Sequence, residues 1–308
     1  MKVLSLFDGI SCARVALERA GIPVEAYYAS EIDKYAVQVS QKNYPSIVHV
    51  GDVKSINKEV RKEYLTVWDE KIDLLIGGSP CQDLSIAKKD RKGLDGERSG
   101  LFWEYVRILK EVKPKYFILE NVASMPKEAK AIITEALGVE PIMINASLVS
   151  AQNRKRLFWT NIPNVTLPED RGILLKDVLE NGDTDRLKSY CIDANYFKGT
   201  NLEQYLKKAR RQVIFNYSSS QRVNRVEDRF YESGNKKSHT LTSSGGSRHK
   251  SFTGVYDNEI RKLTPIECER LQGLPDNYTE GISNTQRYKC LGNAFNVDVV
   301  AHILSFIK

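Results

Sequence analysis

Through the first 160 residues, short apolar runs alternate with stretches whose apolar positions recur every three or four residues. Short runs bounded by turn formers read as strands, and the longer stretches of helical period read as helices. Strands are expected at 3–7, 26–30, 48–50, 74–77, 116–119 and 142–145. Helices are expected at 11–20, closed by Gly21; at 34–43, before Pro45; and at 57–68. Two more are expected at 100–112, before Pro114, and at 127–137, closed by Gly138. Strands alternating with helices make β-α units on a mostly parallel sheet, so the fold class is α/β.

The pattern then changes. The run 157–160 predicts a hairpin strand, after which residues 161–259 decay into polar sequence such as Ser243-Ser244-Gly245-Gly246-Ser247. That is a second, smaller and less regular region. Thr264-Pro265-Ile266-Glu267 reads as a capping box with proline at the first helical position, opening a helix that ends at Gln272-Gly273. Residues 296–307 carry Val297, Val300, Ala301, Ile303 and Leu304 at helical spacing. A helix so short is unstable alone and should pack back on the first domain. The expected organisation is therefore 1–160, 161–260 and 261–308.

Composition narrows the class. A chain of 308 residues with 41% hydrophobic and 28% charged residues has enough apolar sequence for a large core, which excludes a disordered or collagenous chain. No apolar run reaches the ~18 residues that span a bilayer. Asp8 falls where a signal peptide needs its apolar stretch, so no leader is expected and the protein belongs in the cytoplasm. The five cysteines form no C-x-x-C pair, which suggests neither a disulfide framework nor a metal site. Net charge is +7, but eleven Lys or Arg against three acids between 207 and 250 give that window +8. Tyr205, Phe215, Tyr217, Phe230 and Tyr231 lie in or beside it. Basic residues interleaved with aromatics mark a nucleic-acid surface, although the window alone would also suit a solvated basic face.

Ligands in open α/β sheets bind outside the carboxyl ends of the strands, so those ends hold the candidate chemistry. Strand one ends in Phe7-Asp8-Gly9-Ile10-Ser11, strand two at Glu31 and strand three at Gly51-Asp52-Val53. Gly9 lets backbone approach a ligand, and Glu31 and Asp52 offer acceptors for a ribose diol and an adenine amino group. The turn is not G-x-G-x-x-G, so an adenosine-bearing cofactor other than a nicotinamide dinucleotide fits better. Asp8 and Asp52 could equally be helix N-caps. Strand four runs through Gly77-Gly78 into Ser79-Pro80-Cys81-Gln82. A lone cysteine is usually a small buried hydrophobe, but Cys81 precedes a polar loop containing Lys88, Lys89, Arg91 and Lys92, and cations favour a thiolate nucleophile. Strand five delivers Glu120-Asn121-Val122, a carboxylate placed for general-acid work, where burial would keep its proton available.

These residues, in this order, resemble the DNA cytosine-5 methyltransferases that use S-adenosylmethionine. Phe7-Asp8-Gly9 is similar to their first motif, Ser79-Pro80-Cys81-Gln82 to the Pro-Cys motif and Glu120-Asn121-Val122 to the Glu-Asn-Val motif. Gln152-Asn153-Arg154-Lys155-Arg156 resembles their Gln-x-Arg-x-Arg strand, and the sequence from Arg261 through Pro275 and Gly292-Asn293-Ala294 resembles the two closing motifs. The set spans residues 7 to 294 and leaves one gap, 161–259, where the family carries its target-recognition region. Ile10-Ser11-Cys12 in place of further glycine, and Ser79 before Pro-Cys, resemble the branch that includes eukaryotic de novo methyltransferases.

The resemblance implies a Rossmann-like methyltransferase domain with a smaller, irregular target-recognition domain. It implies transfer of a methyl group from S-adenosylmethionine to carbon 5 of cytosine in double-stranded DNA, through a covalent Cys81 adduct on a flipped base. Cys81 is then the nucleophile, Glu120 acts at ring nitrogen 3, Asn121 orients the carboxylate, and Arg154 and Arg156 hold the base and its phosphates. The cofactor falls to Phe7, Asp8, Gly9, Ile10, Glu31, Ile32, Asp52, Val53, Pro80, Leu101 and Asn293. DNA contacts fall to Gln82, Ser85, Arg222, Arg225, Thr240 and Arg248. A monomer without metal, of prokaryotic or phage origin and with an associated restriction endonuclease not excluded, completes the expectation. An RNA cytosine methyltransferase of the same fold and a catalytically silent DNA-binding homologue are the competing readings.

Overall fold

The computed structural model describes residues 1–56, 71–80, 99–208, 210–216 and 260–307. Its main sheet has seven strands in the order β3-β2-β1-β4-β5-β7-β6. These are β1 (Lys2–Leu6), β2 (Ala26–Ser30), β3 (Val48–His49), β4 (Leu74–Gly77), β5 (Tyr116–Val122), β6 (Ile142–Asn145) and β7 (Lys155–Thr160). The first five run parallel to one another, while β7 lies antiparallel between β5 and β6.

Successive strand side chains point to opposite faces, and both faces of this sheet are covered. Val3, Ala29, Leu74, Ile76 and Ile118 join one core, whereas Leu4, Leu6, Leu75, Phe117 and Leu119 join the other. Helices α1 (Cys12–Arg19) and α2 (Lys34–Asn43) supply the first core; α3 (Phe102–Val112) and α4 (Lys127–Leu137) supply the second. A strand buried on both faces reads as an unbroken apolar run, which is why β2 and β4 match their sequence-based bounds; the edge strand β6, with Met143 exposed, matches as well.

The largest difference in strand length is in β5, expected to stop at Leu119 and observed to continue through Val122. Its polar end is held because Glu120, Asn121 and Val122 pair with Phe158, Leu157 and Arg156 of β7. The helix expected at 57–68 lies outside the described residues. In the second region, α5 (Leu202–Lys208) and an antiparallel pair, β8 (Val213–Phe215) with β9 (Ile260–Lys262), are short additions that the polar sequence did not signal. Leu175, Val178, Ile192, Tyr196 and Ile214 nevertheless belong to the same core as Val3 and Ile118.

The last part of the chain folds as α6 (Pro265–Leu271), α7 (Asn284–Asn293) and α8 (Val297–Leu304). The expected capping box is present: Thr264 accepts from the Glu267 amide at 3.1 Å, and the Glu267 carboxylate accepts from the Thr264 amide at 2.8 Å. Residues of α8 share a core with those of α1. The helix α7 has no counterpart in the sequence reading. Its sequence is largely polar, and its buried residues are Tyr288, Cys290, Leu291 and Gly292.

Candidate active site

A cavity of about 270 Å³ opens at the carboxyl ends of β1, β2, β4 and β5. Phe7, Gly9, Glu31, Ile32, Asp52, Val53, Pro80, Leu101 and Asn293 line it together with Glu120, Arg154 and Arg156. A larger cavity of about 530 Å³ borders β8 and β9, but among the described residues no carboxylate lines it.

The turn after β1 is shaped by three left-handed residues, Phe7 (φ 56°), Gly9 (φ 62°) and Ser11 (φ 59°). Such angles are costly for Phe and Ser, and backbone strain of this kind concentrates where a turn must present itself to a ligand. Glu31 fixes the turn from the neighbouring strand, accepting hydrogen bonds from the amides of Gly9 (2.8 Å), Ile32 (2.8 Å) and Asp33 (2.9 Å). Both of its oxygens thus already serve backbone, in addition to lining the cavity. Asp52 caps the short turn after β3 by accepting from the Lys54 amide at 3.0 Å, so the capping alternative and the cavity position coexist in one residue.

Among the described residues, three expected site residues do not line the cavity. Asp8 is buried beneath the turn, where Ser11 Oγ and Tyr27 Oη donate to it at 2.5 and 2.6 Å. Burial raises its carboxyl to about 6 against the hydrogen bonds that favour the charged form. Ile10 belongs to the hydrophobic core. Asn121 is also buried, and its amide donates to Ser79 Oγ at 3.2 Å and to the Ser79 carbonyl at 3.3 Å, which ties β5 to the turn before Pro80.

Glu120 and Arg156 meet across β5 and β7. Glu120 pairs with Phe158, so Arg156, two residues away, is its diagonal neighbour on the same face. Arg156 Nε lies 2.7 Å from Glu120 Oε1, with both side chains mostly shielded from solvent. Glu120 is therefore an ion-paired carboxylate at the end of the sheet and not an acid isolated in apolar surroundings. Room for it comes from Gly78: a Cβ there would stand 3.1 Å from Glu120 Oε2 and 2.8 Å from the Phe295 ring.

Arg154, 3% exposed, follows the same face but is spent differently. Its Nη1 donates to the Ile192 carbonyl at 2.9 Å and to Cys191 Sγ at 3.4 Å; its Nη2 donates to the carbonyls of Ala294 (2.7 Å) and Gly292 (3.2 Å). Both terminal nitrogens thus serve acceptors within the protein, while Nε, also buried, has no hydrogen-bond partner among the described residues. The same seam brings Gly292 against the chain near Asp193, where a Cβ would meet backbone at 2.2 Å.

Ser30, Asp33, Ala36, Gly78, Ser79, Val122, Lys289, Cys290 and Gly292 also line the cavity and were not singled out as site residues from the sequence. Gly78 and Ser79 lie inside the quoted Gly-Gly-Ser-Pro turn, which was signal enough; Lys289 and Cys290 sit on the helix that the sequence reading missed. Cys81, Gln82, Ser85, Arg222, Arg225, Thr240 and Arg248 lie outside the described residues. Cys81 directly follows the cavity-lining Pro80 in the chain. Among the described residues, no group of three or more His, Cys, Asp or Glu is arranged for a metal ion, and no helix is long and apolar enough to cross a membrane.

Known proteins place this arrangement. The chain is 31% identical over 337 residues to the type II methyltransferase M.FnuDI of Fusobacterium nucleatum, covering all of this chain and 94% of that one. It is also 31% identical over 253 residues to the orphan methyltransferase M.Rho11sI of Bacillus phage rho11s, covering 77% of this chain and 46% of that longer protein. Its fold superposes on the Dnmt2 methyltransferase of S. pombe with a TM-score of 0.65 at 17% identity, covering 99% and 97% of the two chains. The family profile of C-5 cytosine-specific DNA methylases matches residues 1–308, and the chain belongs to that family.

Proposed function

We propose that this chain methylates carbon 5 of cytosine at a specific site in double-stranded DNA, with S-adenosylmethionine as donor in the 270 Å³ cavity. The observation that carries the reading is the convergence of two sets of residues on that one cavity. Glu31, Asp33 and Asp52 make one end acidic, beside the apolar Phe7, Ile32, Val53 and Leu101. That combination suits a cationic ligand with an aromatic base and a ribose, and the amide of Gly9 and the side chain of Asn293 would add polar contacts. At the other end stand Glu120, Arg156 and Pro80, the last of which directly precedes Cys81 in the chain.

Carbon 5 of cytosine is a weak nucleophile, so the ring must first be activated. The Cys81 thiolate adds to carbon 6, forming a carbon–sulfur bond and pushing electrons toward carbon 5 and ring nitrogen 3. Glu120, held by Arg156, shares a proton at nitrogen 3 and so stabilises the charge moved into the ring. Residues of the acidic end would hold S-adenosylmethionine, whose sulfonium would supply an electrophilic methyl group to carbon 5 and leave as a neutral thioether. A base then removes the carbon 5 proton, and the returning electron pair expels Cys81 as thiolate. Asn121 steadies the Ser79-Pro80 turn and Asp8 braces the turn after β1, so both act behind the cavity wall. A stacked base cannot reach such a pocket, so the cytosine must be flipped out, at a few kcal/mol that DNA contacts offset.

Gln82, Ser85, Arg222, Arg225, Thr240 and Arg248 are the proposed DNA contacts, and residues 161–260 the proposed target-recognition unit. The phage and bacterial relatives support a prokaryotic or phage setting in the cytoplasm. The test is methyl transfer from labelled S-adenosylmethionine to duplex DNA, with transfer RNA alongside, by wild type and Cys81→Ser. Transfer to cytosine in DNA, abolished in folded Cys81→Ser, is expected because a hydroxyl is far less ionised than a thiol. Wild-type rates in that variant, or transfer confined to RNA, would overturn the proposal.

A further inference from the structure

The cavity of about 530 Å³ beside β8 and β9 has the size of a small-molecule site and shares no lining residue with the one proposed for methyl transfer. Its wall carries four cations, Lys198, Arg211, Arg261 and Lys262. Arg261 is neutralised by Glu267, fully buried and 2.7 Å away. The other three have no carboxylate partner among the described residues. Arg211 Nη1 donates to the Gly199 carbonyl at 2.9 Å, and Lys262 Nζ donates to the Phe197 carbonyl at 3.1 Å while lying over the Tyr288 ring. Three uncompensated positive charges thus border one cavity.

A second observation is independent of charge. Gln212, in the same wall and 0% exposed, donates from Nε2 to Asp185 Oδ1 (3.2 Å), Tyr205 Oη (3.1 Å) and the Val213 carbonyl (2.9 Å), which fixes the orientation of its amide. Its Oε1 is buried without a hydrogen-bond partner among the described residues, and so is Nε of the adjacent Arg211. Buried polar atoms left unpaired are costly, and a ligand that pairs them recovers that cost. The wall therefore offers an acceptor in want of a donor and a donor in want of an acceptor, amid positive charge. A fully ionised phosphate answers the cations alone. A nucleotide answers both, with phosphate oxygens at one end and a base N–H at the other.

We infer that this cavity binds a nucleotide, its phosphate held by Lys198, Arg211 and Lys262 and a base N–H donating to Gln212 Oε1. The inference goes beyond the proposed function and does not depend on it, because the cofactor and the target cytosine are assigned to the other cavity. A free mononucleotide and a nucleotide unit of a DNA strand present the same groups, so the experiment has an arm for each.

Binding is measured by equilibrium dialysis of the full chain with S-adenosylmethionine saturating, which keeps other adenosine-like molecules out of the cofactor cavity. The probes are the deoxynucleoside 5′-monophosphates, their nucleosides and inorganic phosphate. At least one monophosphate should bind about tenfold or more tighter than both its nucleoside and inorganic phosphate. The double variant Lys198→Gln/Arg211→Gly, in which glycine accepts the left-handed φ of 60° at position 211, should weaken it by about tenfold or more at an unchanged melting temperature and cofactor affinity. The inference is overturned if no monophosphate binds at millimolar concentration, if a nucleoside or inorganic phosphate binds as tightly as the monophosphate, or if the folded double variant keeps wild-type affinity. Should that variant not fold, Lys198→Gln and Lys262→Gln, both at exposed side chains, decide: a several-fold loss in each supports the inference, and wild-type affinity in both overturns it. Displacement of the bound monophosphate by duplex or single-stranded DNA assigns the site to a nucleotide of the strand, and persistence in its presence assigns it to a free nucleotide. Loss of methyl transfer with nucleotide binding intact would refute the proposed function alone, and the reverse would refute this inference alone.

Discussion

Asp8→Asn offers a test of how the cofactor-side turn is held. Asp8 is 4% exposed and accepts from both Tyr27 Oη and Ser11 Oγ. Ser11 Oγ has a single hydrogen, so once it donates to Asp8 it must accept from Ser40 Oγ, 2.6 Å away. Ser40 in turn must accept from His49 Nε2 at 3.2 Å, which puts the histidine proton on Nε2 and leaves Nδ1 a buried acceptor without a partner. Four donors and acceptors are thus oriented by one carboxylate. Burial opposes its charge and raises the carboxyl from 3.8 to about 6.

Below about pH 4 the folded and unfolded chains both keep this proton, and Asp8 has no effect on the pH dependence of stability. As pH climbs from about 4 to about 6 the unfolded chain releases the proton first, so stability falls through that window and the loss is complete above it. A shift of roughly two units corresponds to about 3 kcal/mol. Asparagine cannot titrate, so the stability of Asp8→Asn relative to wild type should rise by about 3 kcal/mol between pH 4 and pH 6 and stay level beyond. For a chain of this length that is a change of roughly 5 °C in the melting-temperature difference. Calorimetry or urea titration of both proteins at half-unit steps measures it. Any altered hydrogen bonding in the variant adds a constant offset, so only the slope matters. A difference that does not vary between pH 4 and pH 6 would refute the buried-charge reasoning.

Gly78→Ala should lower turnover by at least about tenfold, because its Cβ would stand 2.8 Å from the Phe295 ring and 3.1 Å from Glu120 Oε2 and must displace one of them; steady-state methylation with KM for cofactor detects it. Arg287→Met should destabilise the fold by about 3–5 kcal/mol in urea titration, since Glu269, fully buried, would lose the guanidinium 2.8 Å away. Replacing Lys207, Lys208 and Arg210 together by Gln should weaken binding to every duplex and reduce the slope of log affinity against log salt by up to about 3, the value for three phosphate contacts. An unchanged slope in filter-binding titrations would show that these residues do not face DNA.

Most of the sheet was legible because a strand buried on both faces is an uninterrupted apolar run, as in β2 and β4. The end of β5 was not, since Glu120 and Asn121 look like loop residues until β7 is laid antiparallel beside them. The position of Asn121 follows from the alternation of strand side chains: Glu120 and Val122 line the cavity and the residue between them turns to Ser79. Asp8 and Ile10 lie off the cavity wall for a related reason. In a turn with left-handed Phe7 and Gly9, neighbours in sequence need not share a surface, and Phe7 and Gly9 line the cavity while Asp8 and Ile10 go inward. Arg154 was beyond the reach of the sequence. Its partners come from positions 191–192 and 292–294, segments that only the folded chain brings together.

The alternation of strand side chains also explains why one end of the cavity can be charged without disrupting the core beneath it. On β7, Arg156 and Phe158 share a face, and on β5 so do Ile118 and Glu120. Ile118 and Phe158 fill the hydrophobic core, while one step farther out the same rows carry Glu120 and Arg156. A shift of one residue in the pairing of β5 with β7 would leave one of the two charges facing the opposite core, so the apolar residues that fix the register also fix the ion pair. The acidic end is set differently, by turns: Glu31, Asp33 and Asp52 all follow strands and accept from backbone amides at helix or turn starts. Sheet register therefore places the groups proposed to act on the base, and turn chemistry places those proposed to hold the cofactor. Substitutions in the β5–β7 core should accordingly disturb turnover before cofactor affinity, and substitutions in the turns should do the reverse.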